Sequence, residues 1–191
     1  MMWDSEWNLP TSVRVGGKEL AIERQCDYRV ILDCLAVYDD ADIDIQNKHI
    51  LALSIFYEKP EEIEDAEKAL VEMLRIISGE MEEEYSTKLQ KQQPTPRMMS
   101  WKHDFKYIAP AVSKILGFDI RTPNVYVHWW TFLGAYQSIG EGVWSTFVSI
   151  RRKVMRGEKL EKWEERVYRE NKSDIDLPQN YTEDELEFLN S

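Results

Sequence analysis

The chain has 191 residues, of which 43% are apolar and 31% charged, and its net charge is −11. That size supports a real core, while the acidic balance argues against a dedicated nucleic-acid binder, whose phosphate contacts need clustered positive charge. No apolar run approaches the ~20 residues that cross a bilayer, and the acidic start MMWDSEW lacks the basic-then-apolar order of a secretory signal, so a cytoplasmic protein is expected.

Along the chain, TSVRVGGKELAIE comes first. Two alternating runs flank Gly16-Gly17, whose freedom at positive φ suits a two-residue hairpin turn. That loop sets Val13 opposite Leu20 and Arg14 opposite Glu19. Helices are expected thereafter. Cys26, Val30, Ile31, Cys34, Leu35 and Tyr38 follow helical spacing, and the two cysteines read as small core residues rather than a disulfide. Asp42 or Asp44 caps a second helix carrying Ile50, Leu51, Phe56 and Tyr57. Pro60 opens a third, with Ile63, Ala66, Leu70, Met73, Leu74 and Ile77 as its stripe and Gly79 as a left-handed stop.

Residues 79–100 are polar, hold an acidic run and end in a Pro-containing stretch, so a frayed helix and a flexible loop are expected there. A helix with Ile108, Val112, Ile115 and Leu116 follows, kinked or split by Pro110 and stopped by Gly117. Pro123 starts a helix through VYVHWWTFLGAYQ (residues 125–137), and GVWSTFVSIRRKVMRG holds another. Next comes a charged helix with a narrow apolar edge of Leu160, Trp163 and Val167. The end of the chain carries Thr182-Glu183-Asp184-Glu185, a capping box before a short helix. The fold class read from this order is mainly α: one helical domain over residues 1–178 with about six to eight helices, a β-hairpin at about 11–23, and an acidic tail at 179–191.

Catalytic motifs are missing from the sequence. His49, His103 and His128 fall in separate elements, and no HExxH, GxSxG or P-loop pattern is present. Neither cofactor nor metal is implied, and the expectation is a protein that is not an enzyme. The stretch around His128 is the most distinctive. On a continuous helix Val125, Trp129, Phe132, Leu133 and Tyr136 share one side, and Trp130 lies about 100° further round near Tyr126. Two neighbouring indoles then point to different places, Trp129 into the core and Trp130 toward a groove or a partner. Residues 93–157 hold 9 Lys/Arg against 3 Asp/Glu, so Arg151 and Arg152 join Tyr126 and Trp130 as candidate partner-binding residues. Aromatics beside cations also suit a single nucleic-acid strand. Pairing of the cations with the chain's own acids, or with an acidic partner, is favoured on charge grounds.

The series LPTSVRVGGKELAI, DYRVILDCLAVYDD, ILALSIFYEKPEEIEDA and VHWWTFLGAYQSIG resembles the bacteriophage gene-product-fifteen family of tailed phages and prophages. In that family an N-terminal "LP…V..GK" hairpin leads through a "FYE.PE" boundary to a "HWW.F" helix. The likeness runs from about Leu9 to about Pro178. Departures are Pro110 within a helix, the long polar loop, and Thr131 after the tryptophans. Genes of this family typically lie in the tail-morphogenesis block between the major tail protein and the tape-measure protein. The resemblance therefore implies a tail assembly chaperone that binds the tape-measure protein, the tail-tube protein, or both. It would work in the cytoplasm of the infected or lysogenic host, with a homo-oligomer left open. A structural component of the virion tail is the alternative, and a single-stranded nucleic-acid binder a minor one.

Overall fold

The computed structural model describes residues 8–79 and 98–177. Most of the expected loop at 79–100 lies outside the described residues, as do the tail at 179–191 and the capping box at Thr182. Among the described residues the chain is mainly helical, with eight α-helices and one two-stranded antiparallel sheet. It divides into two compact units. The first comprises Met1–Gln93 and Tyr126–Leu133, the second Pro94–Val125 and Gly134–Ser191.

In the first unit, β1 (Ser12–Val15) pairs with β2 (Lys18–Ala21), and the register is the one the glycine pair dictates: Val13 opposite Leu20, Arg14 opposite Glu19. Gly16 and Gly17 both take positive φ, 59° and 90°, as a primed turn requires. The sheet's apolar side (Val13, Val15, Leu20) is buried. Helix α1 (Tyr28–Asp39) starts at Asp27, whose carboxylate accepts from the Arg29 amide. Helix α2 (Ile45–Phe56) starts at Asp44, which accepts from the Gln46 and Asn47 amides. These caps occupy the orphan amides of a first turn.

Helix α3 (Ala66–Ser78) begins later than Pro60. That proline opens a separate 3-10 turn, Pro60–Glu62; Ile63 is extended, and Asp65 supplies the cap by accepting from the Lys68 amide. In the buried stripe Met73 is as expected, Ala69 and Ile76 stand one position before the expected Leu70 and Ile77, and Gly79 does end the helix at φ 73°. Within this unit α1 packs on α2, α2 on α3, and α3 against β1. Tyr57 donates its hydroxyl hydrogen to the Ala69 carbonyl at 2.8 Å, pinning the end of α2 to α3. Cys26 and Cys34 are free and fully buried.

The second unit contains α4 (Trp101–Leu116), α6 (Val143–Met155), α7 (Lys162–Glu170) and α8 (Lys172–Ile175). Pro110 does not split α4. It lies on an exposed position, where water can serve the carbonyl that a proline leaves without a partner. Gly117 ends the helix at φ 81°. Phe147, Ile150 and Ile175 form the core of this unit, with Tyr107, Leu160, Val167 and Tyr168 packed against them. Trp163, expected on the same edge as Leu160 and Val167, is instead 53% exposed. Helix α5 (Trp129–Gln137) carries the double tryptophan. No helix among the described residues is long and apolar enough to cross a membrane.

Candidate functional site

Helix α5 does not begin at Pro123. Residues 126–128 are extended, and His128 forms an antiparallel bridge with Asp27. The Tyr28 amide donates to the Val127 carbonyl at 2.9 Å and the Trp129 amide to the Cys26 carbonyl at 2.8 Å. Asp27, already the cap of α1, also accepts from the Val127 amide. The expected helical wheel is therefore wrong for Tyr126: it sits in the non-helical segment that leads to the His128 bridge, four residues and one change of conformation away from Trp130. The alternation of β-branched and aromatic residues in Val125-Tyr126-Val127-His128 is the signal that favoured a strand.

His128 then serves as the cap of α5. Its carbonyl accepts from the Phe132 amide, and its Nδ1 accepts from the Trp130 amide at 3.0 Å. Nε2 lies 2.9 Å from the Pro10 carbonyl, so it must carry the proton and donate. Both contacts are met at once only by the neutral ring. Burial lowers the pKa of this residue, against a smaller opposing effect of the Pro10 carbonyl.

The two tryptophans converge, contrary to the reading that sends them apart. The Trp129 indole N–H donates to the Ile77 carbonyl and that of Trp130 to the Ile76 carbonyl, both at 2.9 Å. These carbonyls belong to the last turn of α3, whose acceptors lack i+4 amide donors within the helix; the Gly79 amide also reaches the Ile76 carbonyl at 3.2 Å. Because the rings leave α5 from its first turn, both long side chains reach the end of α3. Trp129 is 1% exposed and stacks near Phe132 at 5.5 Å, which itself stacks on Tyr28 at 4.8 Å. Trp130 is half-buried. The double tryptophan is thus a clamp on a helix end.

Just before Asp27 the backbone is strained. Arg24, Gln25 and Cys26 have φ of 47°, 55° and 64° in succession, at a cost of roughly 1–2 kcal/mol each for residues bearing a Cβ. Main-chain bonds from Gln25, Cys26 and Asp27 to residues three back close this left-handed turn, and the Tyr126 hydroxyl donates to the Gln25 carbonyl at 2.8 Å. The Tyr126 ring remains 48% exposed. Of the two candidate aromatics, then, Tyr126 faces solvent, and Trp130 is largely committed to the clamp.

In the second unit, Arg151 is not a surface cation. It is 4% exposed and paired with the fully buried Asp104 through Nη1–Oδ2 at 2.8 Å and Nη2–Oδ1 at 2.6 Å. It also donates to the Met98, Asp174 and Ile175 carbonyls, so it caps the end of α8. The reason is helical phase: Arg151 follows Trp144 by seven residues and Phe147 by four, both buried. Lys153 is likewise internal in function, with both oxygens of Glu164 at 2.7 Å. That pairing holds the Glu164 carboxyl below the usual range. Arg152 is exposed. The basic run therefore serves mostly the chain's own acids, and of the two arginine candidates only Arg152 reaches the surface. Among the described residues no group of three or more His, Cys, Asp or Glu side chains is placed to hold a metal ion.

Fold and site together define a mainly helical protein whose distinctive polar and aromatic side chains hold its own helix ends. The chain belongs to the bacteriophage Gp15 protein family, whose sequence profile matches residues 6–177. It is thus a phage protein. No curated protein and no solved structure matches it.

Proposed function

We propose that this protein is a non-enzymatic tail-morphogenesis factor, a tail assembly chaperone that binds the tape-measure protein, the tail-tube protein, or both. The observation that carries the reading is family membership over residues 6–177, joined to the expectation that genes of this family sit in the tail-morphogenesis block. The geometry is compatible with it. Side chains with catalytic potential (His128, Asp104, Glu164) are spent on caps and internal pairs. A binding role needs only surfaces, and Tyr126 and Arg152 are exposed on theirs. A net charge of −11 keeps such a protein dispersed while it covers apolar seams of a client.

The test is affinity capture of the tagged full-length protein from phage-producing cells, with purified virions assayed in parallel by mass spectrometry. Recovery of the tape-measure or tube protein from lysate, with the chain missing from virions, supports the chaperone. Finding the chain at stoichiometric levels in virions makes it a structural tail component instead.

A further inference from the structure

Helix α2 has an apolar character that its own fold does not use up. Its sequence, IQNKHILALSIF, places Ile45, Ile50, Leu51, Ala52, Leu53, Ile55 and Phe56 around the whole cylinder. Large aliphatic side chains clustered outside a helix's buried stripe mark a contact face. Here Ala52, Leu53 and Phe56 are buried with the stem of Lys48, whose ammonium reaches the Tyr38 carbonyl at 2.9 Å. The opposite side carries Asn47, Ile50, Leu51 and Ser54, the i, i+3, i+4, i+7 spacing of a helix-packing seam. Ile50 is 64% exposed, Leu51 41%, and Ile45 in the first turn 58%.

The charges around this face select its occupant. Asp40, Asp42 and Asp44 are exposed at its N-terminal end, and Glu58 is exposed just beyond its C-terminal end, beside Lys59, whose ammonium is paired with Glu62 at 3.4 Å. Lys48, the cation of the helix itself, is buried and engaged. A second copy laid parallel would set the three aspartates against their own counterparts, and in either orientation the two chains each carry −11. The chain's own residues 178–191, with Glu183, Asp184, Glu185 and Glu187, meet the same repulsion. A segment whose apolar residues are bracketed by Lys or Arg meets attraction at both ends.

We propose that the outer face of α2 is the docking surface for an amphipathic helix of another protein, with large aliphatic side chains over Ile50 and Leu51 and Lys/Arg beside Asp42 and Glu58. This rests on the protein-contact reading above and names its surface. Twelve residues make a helix of about 18 Å, so the seat takes roughly three turns of the partner. A contact of that size is on the scale of transient complexes, as a helper that later lets go requires. Because charge contributes at both ends, capture weakens as salt is raised and the Debye length falls from ~10 Å toward ~3 Å.

The experiment uses the full chain in phage-producing cells, with the photo-crosslinking residue p-benzoylphenylalanine at position 50 and, as a control on the same unit, at position 71. Mass spectrometry then reads the adducts. The expected result is an Ile50-site adduct to a different protein, on a segment with apolar residues bracketed by Lys/Arg, and none of it from the Val71 site. In parallel, the double variant Ile50→Asp/Leu51→Asp and the charge reversal Asp42→Lys, each checked for an unchanged circular dichroism spectrum, are expected to reduce capture of that protein at least tenfold and severalfold respectively. Adducts to a second copy or to residues 178–191, equal adducts from both sites, or no adduct while the tagged chain still captures phage proteins would each overturn the proposal. If a tail protein is captured equally by the double variant, the docking face is wrong and the tail-assembly reading stands. If the adduct has the stated chemistry but lies on a protein unconnected with tails, the face stands and that reading fails.

Discussion

Replacing Arg151 by Met removes a guanidinium that makes five hydrogen bonds in a buried site: two to Asp104 and three to the carbonyls of Met98, Asp174 and Ile175. Asp104, 0% exposed, is left as a charge whose remaining contact is the Ser100 amide at 2.9 Å. Breaking a buried pair on one side costs about 3–5 kcal/mol. For a chain of this size that is roughly a 6–20 °C fall in Tm. Arg152→Met, at the exposed neighbouring position, should stay within about 0.5 kcal/mol. Urea unfolding followed by tryptophan fluorescence is a suitable assay, because Trp144 lies with its ring 5.8 Å from the Arg151 guanidinium. The double variant Arg151→Met/Asp104→Leu should regain much of the loss, since no buried charge is then stranded. If the Arg151 and Arg152 variants unfold at the same urea concentration, the buried pair is wrong, and Arg151 returns to the list of surface cations.

Other outcomes follow from the first unit. His128 keeps its neutral form below the ordinary histidine value of 6.5 because it is buried. Its contribution is therefore complete above 6.5, where folded and unfolded chains are both neutral, and is lost as pH falls through the lower folded value. The wild-type chain should lose stability on acidification in that window more steeply than His128→Asn, which keeps a capping acceptor but does not titrate; parallel urea titrations at several pH values would show no difference if the ring were not so held. Gly79→Ala should destabilise by about 1–2 kcal/mol, the cost of a Cβ in the left-handed region, at φ 73°, while Leu133 Cδ2, the end of a flexible side chain 2.7 Å from the new Cβ, can turn aside; an unchanged Tm would remove the left-handed cap of α3. Burial pushes the thiols of Cys26 and Cys34 up to about 12, so a disulfide reagent at pH 8 should label neither in the native chain and both in urea. Rapid native labelling would place them at the surface.

What the sequence revealed was local. Gly16-Gly17 dictated the hairpin register, Asp44 announced a cap, and Gly79 and Gly117 marked two helix ends, because each acts through the backbone of its immediate neighbours. Family likeness was carried by the same short stretches. What stayed hidden was set by partners far along the chain. Residues 126–128 are extended because they pair with Cys26 to Tyr28, a hundred residues earlier, and the local alternation around Val127 does not name that partner. In α2, apolar Ile50 and Leu51 lie outside and Lys48 inside, because the Lys48 ammonium reaches the Tyr38 carbonyl, a partner the helix's own sequence does not name. Arg151 looked like one cation among three, and only its spacing from Trp144 and Phe147 betrays that it points inward. The aromatic doublet was recognisable as special, but its use on the carbonyls of Ile76 and Ile77 required knowing which helix ends beside it.

The proposal that matters most is that this protein is needed to build tails. Electron microscopy of particles from a phage in which the gene is disrupted, with the full chain supplied or withheld from a plasmid, tests it most directly. The account predicts filled heads without tails, tails restored when the chain is supplied, and loss of that rescue with Ile50→Asp/Leu51→Asp. Normal tails on particles made without the chain would contradict it.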